Sequence, residues 1–175
     1  DFGGGLERIT AASNDNSDIF KIDIFQPLFK IIEKLSTSSA ARYIPGSSIQ
    51  GSFRIICDHI RAAVFLVNDE VTPSNTEQGY VLRRLLRRTI RRLDALDVPE
   101  KQIGEFVIAL SKEYRESYPA LIHHTEHIID VFLHEEEIFR KTLSQGLIMF
   151  SKLARDANNI SGKDAFMLFT TYGLP

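Results

Sequence analysis

Apolar residues recur every three to four positions along most of this chain, a spacing that gathers them on one face of an α-helix. The pattern predicts helices at residues 6–9, 24–35, 52–67, 79–93, 99–118, 122–155 and 164–169. Ser52 is a plausible N-cap and Pro99 is a helix start signal. Because strand signals are few, the sequence predicts a mainly α-helical bundle, with a short strand, turn and helix at its N-terminal end.

The helix predicted over residues 79–93 combines an apolar face with a band of arginines. Its arginines come in pairs that repeat every four residues, namely Arg83 with Arg84, Arg87 with Arg88, and Arg91 with Arg92. No Asp or Glu occurs within this segment, so the arginines have no acidic partner in their own helix. Such a band of fixed cations suits a polyanion, usually the phosphates of a nucleic acid. A solvated face paired with acids from a neighbouring helix is the alternative, and the helix by itself leaves both open.

Bulk composition narrows these possibilities. With 175 residues, 43% of them hydrophobic and 25% charged, the chain has the composition of a globular domain that buries a core. The formal net charge of −2 excludes a chain that is basic overall, so nucleic-acid binding would have to come from local charge. The single cysteine, Cys57, excludes an internal disulfide and favours a reducing compartment. No apolar stretch approaches the roughly 18 residues that span a membrane, so we expect no membrane partner.

Histidine and glutamate clusters could suggest further sites. His123 and His127 are four residues apart and would share a helix face, but no other ligands complete a metal site, so solvent-facing histidines are expected. The run from Glu135 to Glu137 predicts a solvated face. These acids could instead offset part of the arginine band.

Asp58 and His59 invite comparison with an acid–base dyad. Adjacent residues on a helix point in different directions, so the two side chains are not expected to face each other. A structural role is the stronger hypothesis, with pairing to Arg54 or Arg61.

A long segment of the chain resembles one family closely. Residues 53–92 read FRIICDHIRAAVFLVNDEVTPSNTEQGYVLRRLLRRTIRR, which resembles, without gaps, the start of the tRNA-recognition region of alanyl-tRNA synthetases. Upstream, DFGGGLER at 1–8 resembles motif 3 of class II synthetases in its alanine-specific form. Residues 128–146 look like the long helix of the same region, and AFMLFTTYGLP at 165–175 resembles the family's AFxLYDTYGFP. The resemblance therefore covers essentially the whole chain, in order.

The resemblance implies a ligase that joins alanine to its tRNA through an alanyl-adenylate, using ATP with Mg²⁺ in the cytoplasm. It implies the tail of the catalytic domain at 1–35, a linker at 36–51 and a helical domain at 52–175 that recognises the acceptor stem of tRNA-Ala, with neither DNA nor a membrane as partner. The chain starts without methionine and ends without a polar tail, so both ends look cut from something larger. Motifs 1 and 2 and the editing-domain zinc site are not found in these residues. The isolated chain is therefore expected to be inactive, with no catalytic residues of its own, and to hold no metal.

Motif 3 assigns roles at the alanine and ATP site by the same resemblance. Asp1 matches the carboxylate that takes the amino group of the substrate, an anion opposite an ammonium. Gly3 and Gly5 match glycines that let the backbone approach the adenylate. Arg8 matches the arginine that binds ATP.

The resemblance also assigns the tRNA-binding residues. Asn75 matches the loop asparagine that meets the G·U wobble pair at the third position of the acceptor stem, where its amide offers both a donor and an acceptor. The family's aspartate before Thr-Tyr-Gly is Thr170 here, which cannot act as a charged acceptor for a guanine amino group. The arginines expected near the phosphates, which position the RNA rather than specify it, are Arg83, Arg84, Arg87, Arg88 and Arg91.

Two alternatives to the ligase function stay open from the sequence. One is a helical nucleic-acid-binding or protein-interaction module without catalysis, and the other is a purely structural bundle.

Overall fold

The computed structural model describes residues 3–156 and 160–172. Their regular elements are α-helices and short 3-10 helices joined by loops, and they contain no strand. This confirms the predicted mainly α-helical bundle. The expected N-terminal strand falls on residues 1–5, of which the first two lie outside the described residues and the others are irregular. None of the helices within the described ranges has the length and apolar character needed to cross a membrane. The helices are α1 (Leu6–Ser13), α2 (Gln26–Leu35), α3 (Gln50–Asn68), α4 (Glu77–Asp94), α5 (Ile103–Glu113), α6 (Ala120–Asp156) and α7 (Gly162–Tyr172).

The N-cap predicted at Ser52 and the helix start predicted at Pro99 are wrong. Helix α3 begins earlier than expected, at Gln50, and Ser52 is buried inside its first turn instead of capping it. Helix α5 begins at Ile103 and not at Pro99. Between Pro99 and Ile103, Lys101 adopts a φ of +63°, a left-handed conformation that interrupts a right-handed helix.

The chain divides into two compact units, Asp1–Leu133 and His134–Pro175. In the first unit, α3 packs along α4 more extensively than any other pair of helices among the described residues. The sole cysteine, Cys57, is a free thiol on the buried face of α3, where burial raises its pKa. The buried face of α4 carries Leu82, Leu86, Thr89, Ile90 and Leu93. The apolar half of the arginine helix therefore docks on the core, as its periodicity predicted.

The segment at 36–51 is held against the same core. The Ser36 hydroxyl donates to the Leu96 carbonyl oxygen at 2.6 Å, and the Thr37 N–H donates to the Asp97 carbonyl oxygen at 3.0 Å. The ring of Tyr43 stacks on a phenylalanine of α2 with ring centroids 4.2 Å apart. The predicted division into catalytic tail, linker and recognition domain concerns the longer enzyme and stays a prediction.

A partly buried ionic network ties the chain before α2 to α3. The Tyr43 hydroxyl donates to Asp18 Oδ2 at 2.5 Å, and Arg54 Nη2 lies 2.9 Å from Asp18 Oδ1. Arg54 Nε also donates to the Tyr43 hydroxyl oxygen at 3.0 Å. Burial raises the pKa of Asp18, but hydrogen bonds from Tyr43, from the Phe20 N–H and from Arg54 outweigh it, so the pKa lies below its ordinary value.

The second unit contains the C-terminal part of α6 together with α7, and Phe139 and Leu168 are buried in it. Glu135 and Glu136 are only 2% and 4% exposed, so the predicted solvated face is wrong for both of them. Arg140 lies 2.8 Å from a Glu136 carboxylate oxygen, one helical turn away. This pairing offsets part of the cost of burying a carboxylate, which the charge pattern alone does not reveal.

Candidate nucleic-acid interface

The loop before α4 packs tightly on the first turn of that helix. A Cβ placed at Gly79 would lie 2.3 Å from Ser74 Oγ and 2.5 Å from the Thr72 carbonyl oxygen. The Ser74 N–H donates to the Gly79 carbonyl oxygen at 3.1 Å, and the Ser74 hydroxyl donates to the Thr76 carbonyl oxygen at 2.9 Å. The missing side chain at Gly79 therefore lets the loop at 72–76 lie directly against α4.

Asn75 belongs to this loop and is exposed. The Arg83 guanidinium reaches back from α4, donating to Asn75 Oδ1 and, at 3.3 Å, to the Pro73 carbonyl oxygen. Because Arg83 occupies the amide oxygen of Asn75, the amide nitrogen is left to donate outward. The structure thus brings together two residues of the predicted RNA-binding set, and it shows Arg83 holding the loop that carries Asn75.

The arginines of α4 divide into two groups. Arg83 and Arg87 are half-buried, and both interact with other groups of the protein. Within the described ranges, neither Arg84 nor Arg88 has a hydrogen-bond or ion-pair partner. The alternative in which the band is fully paired with acids therefore does not describe the whole helix. The exposed arginines are Arg84, Arg88, Arg91 and Arg92.

Two of the exposed arginines, Arg84 and Arg88, border a cleft between α3 and α4 that the sequence pattern did not predict. The cleft has a volume of about 220 Å³ and is lined by His59, Tyr80, Val81, Arg84, Leu85 and Arg88. The side chain of His59 is only 12% exposed, and its Nε2 atom is buried without a hydrogen-bond partner. Burial lowers the pKa of His59 and the charges of Arg88 and Arg84 lower it further, while Asp58 opposes them. A polar atom thus lies unsatisfied beside two unpaired cations.

Two predictions for Asp58 and His59 are wrong: their side chains do contact each other, and neither pairs with Arg54 or Arg61. His59 Nδ1 lies 3.1 Å from Asp58 Oδ2, because the short carboxylate reaches the ring nitrogen nearest the backbone. Arg54 pairs with an aspartate upstream of α2, and Arg61 Nη1 lies 2.8 Å from Glu7 Oε1 on α1. Sequence distance concealed both arginine partners.

The residues that resemble motif 3 lead into α1. Asp1 lies outside the described residues. Gly5 precedes the helix as its N-cap with a φ of +73°, a conformation that favours glycine. Gly3 is exposed, and a Cβ there would meet nothing within 4 Å. Arg8 is also exposed. The geometry therefore explains the glycine at position 5, while the roles toward alanine and ATP stay predictions.

Thr170 lies exposed on α7. Its hydroxyl donates to the Phe166 carbonyl oxygen, one turn earlier, at 2.8 Å. This bond uses the only hydroxyl proton, so the side chain presents an acceptor oxygen. Thr170 thus retains the acceptor polarity of the family's aspartate without its charge.

The histidines near the start of α6 form no metal site. Among residues 3–156 and 160–172, no group of three or more His, Cys, Asp or Glu side chains is arranged to hold a metal ion. His123 and His127 are exposed, and His124 Nδ1 lies 3.1 Å from Asn68 Oδ1 at the end of α3. His124 therefore forms a hydrogen bond that connects α6 to the end of α3.

Comparison with known proteins places these features in a class. The model of the family described as tRNA synthetases class II (A) matches residues 1–175. The alanine–tRNA ligases of Thermotoga maritima, Acidothermus cellulolyticus and Exiguobacterium sibiricum are 38%, 39% and 38% identical, and each match covers 100% of this chain and 20% of the relative. The chain therefore belongs to the alanyl-tRNA synthetase family, as the sequence resemblance predicted. It spans about a fifth of the length of these curated relatives.

Proposed function

We propose that this chain is the part of an alanine–tRNA ligase that recognises the acceptor stem of tRNA-Ala and carries motif 3 of the site for alanine and ATP. The complete enzyme would attach alanine to tRNA-Ala in the cytoplasm, with ATP and Mg²⁺. Membership of the family supports the ligase, and the surface formed by α4 and its preceding loop supports the part that binds RNA.

The observation that carries the proposal is the exposed side chain of Asn75, whose amide oxygen accepts a hydrogen bond from Arg83. The loop is pressed against α4 at Gly79, and the Arg83 guanidinium holds the amide oxygen. The amide nitrogen can then donate to acceptors on a base edge, such as O2 of a uracil. The minor groove of an RNA helix is wide and shallow, so a short loop reaches its base edges.

The exposed arginines of α4 would provide the contacts that set the register. Arginine pairs well with phosphate because its planar fork donates two hydrogen bonds to two oxygens. Such contacts fix the position of the duplex and carry no sequence information themselves. Thr170 would add an acceptor oxygen to the readout, weaker than the carboxylate that relatives of this pattern carry.

Motif 3 would contribute one side of the ATP and alanine site. Arg8 is exposed and has no ion pair among the described residues, which fits a role on a phosphate group. Gly5 has no side chain at the start of α1, which would let an adenylate approach the backbone there. Because motifs 1 and 2 are missing from these residues, the isolated chain should form no alanyl-adenylate. Detectable adenylate formation by it would contradict this.

The test is a titration of the chain with two acceptor-stem minihelices of tRNA-Ala at one moderate salt concentration. One minihelix carries G·U at the third pair and the other carries G·C. Tighter binding to G·U is expected, and Asn75→Ala should remove this preference while retaining most of the affinity. Asn14→Ala changes an exposed asparagine at the end of α1 and is the matched control. Equal binding of the two minihelices would indicate an RNA binder without this readout, and no binding would indicate a structural bundle.

A further inference from the structure

Arg84 and Arg88 are like charges held one helical turn apart on α4. Residues at this spacing are neighbours on the helix surface, so their charges repel. Neither has a hydrogen-bond or ion-pair partner in the part of the chain that the structure describes. An anion placed between the two guanidinium groups would therefore relieve a repulsion that the protein itself leaves in place.

The cleft beside these arginines is sized for part of a larger molecule. Its volume of about 220 Å³ lies below the roughly 300–1,000 Å³ of pockets that enclose a small ligand. Tyr80 and Val81 form an open wall, being 51% and 50% exposed. A backbone phosphate between the guanidinium forks, with its ribose against this wall, fits the charge and the polarity of the lining.

His59 lies at the buried side of the cleft. Because its Nδ1 is directed at the Asp58 carboxylate, the neutral ring carries its proton there and leaves Nε2 unprotonated. The charged and titratable groups that face it are Asp58 on its own helix and, from α4, Tyr80, Arg84 and Arg88. An anion that neutralises the two arginines would remove the charges that disfavour the imidazolium.

We propose that the cleft of His59, Tyr80, Arg84 and Arg88 binds one backbone phosphate of an RNA duplex, and that His59 takes up a proton from solvent at Nε2 as this phosphate binds. The inference rests on the proposed function and adds to it a specific phosphate subsite, separate from the loop that carries Asn75. It also assigns different work to neighbouring arginines. Arg83 holds the loop, while Arg84 and Arg88 hold the phosphate.

Proton uptake has a defined sign. The free protein holds the pKa of His59 below its usual 6.5, and the bound phosphate raises it. Between these two values binding takes up a proton, so affinity for RNA rises as the pH falls through this window and levels off below it. Each pKa unit of difference corresponds to a tenfold change in affinity at most. The RNA phosphates remain anionic throughout this range.

The experiment measures minihelix affinity against pH, from about 8 to 5.5, and against salt. Wild-type affinity for the G·U minihelix should rise about threefold or more over this range. His59→Gln and His59→Asn should abolish this rise. The asparagine keeps a donor for Asp58, which protects the test against a folding defect. His127→Gln, an exposed histidine on α6, should retain the rise.

The arginines are tested by a charge-matched pair of double variants. Arg84→Gln with Arg88→Gln should lower affinity about tenfold or more, reduce the slope of log affinity against log salt by about 2, and flatten the pH profile. Lys112→Gln with Arg115→Gln removes the same charge from exposed positions of α5 and the turn that follows, and should have a much smaller effect.

Each result separates the two proposals. A wild-type chain that prefers G·U while both double variants lose the same affinity would overturn the phosphate subsite and leave the proposed function standing. Persistence of the pH rise in both His59 variants would overturn the proton uptake. Failure of the wild-type chain to bind either minihelix would overturn the proposed function, and the subsite with it.

Discussion

Gly79→Ala adds one methyl group at the contact that presses the Asn75 loop onto α4. Elsewhere in a helix the change from glycine to alanine stabilises by about 0.5–1 kcal/mol. Here the new Cβ would lie 2.3 Å from Ser74 Oγ and 2.5 Å from the Thr72 carbonyl oxygen. Ser74 can rotate away but a backbone carbonyl cannot, so the loop has to move. Overpacking of this kind typically costs about 1–3 kcal/mol, and contact with a backbone carbonyl puts the cost here at about 2–3 kcal/mol. Subtracting about 1 kcal/mol for the helical gain leaves a net loss of about 1–2 kcal/mol.

The assay compares thermal unfolding and RNA binding of Gly79→Ala with those of Gly51→Ala. Gly51 lies in the first turn of α3, and a Cβ there would meet nothing within 4 Å. For a chain of this size, Gly79→Ala should lower Tm by about 2–8 °C, whereas Gly51→Ala should raise it slightly. Gly79→Ala should also lose the preference for G·U while keeping most of its affinity, because the exposed arginines are unchanged.

A Gly79→Ala protein as stable as the wild type, with its G·U preference intact, would refute the reasoning. That result would mean that the loop accommodates a methyl group without displacing Asn75. Loss of stability with an unchanged G·U preference would show that the loop moves but that its position does not determine the preference for G·U.

Other changes test separate parts of the structure. Thr89→Val should stabilise the chain by about 1 kcal/mol in urea unfolding, because the Thr89 hydroxyl is buried without a hydrogen-bond partner; equal or lower stability would show that the hydroxyl is satisfied. Asp18→Asn should lower the free energy of unfolding at neutral pH. Since the folded pKa of Asp18 lies below 3.8, this difference should stay constant above about pH 5 and shrink as the pH falls through the folded value; a pH-independent difference would contradict the ionic role. Thr170→Asp should increase the G·U preference by about tenfold, and an unchanged ratio of minihelix affinities would exclude this position from the readout.

Periodicity was a sound guide to α4, because the direction of a helical side chain follows directly from its place in the sequence. Leu82, Leu86 and Ile90 are buried where the pattern put them, and Arg84 and Arg88 are exposed. Periodicity also predicted the mainly helical fold, and the resemblance of residues 53–92 predicted the family. Both inferences were made from the sequence pattern alone, so neither required knowledge of the tertiary contacts.

Several of the predictions that failed depended on contacts distant in sequence, on the burial of a charged residue or on single dihedral angles. Arg61 pairs with Glu7, which no local pattern connects to it. Glu136 is buried beside Arg140 although it lies in a run of charge. The start of α5 depends on the left-handed backbone conformation of Lys101. Such a conformation is predicted from sequence mainly at glycine, and lysine does not indicate it. In the candidate interface, the cleft at His59 is lined by residues of both α3 and α4, so it could not be predicted without the packing of these two helices.

Cys57 gives the chain a built-in reporter of its own opening. It is the single thiol in the sequence, 0% exposed, and its raised pKa keeps it protonated at neutral pH. A thiol reagent attacks the thiolate and needs access, so native molecules should react only when α3 is transiently released from its neighbours. The rate of labelling at Cys57 would then measure how often α3 is released, without any engineered probe. A fluorophore attached to a new cysteine on the RNA-facing surface would meanwhile be the only label that the folded protein accepts.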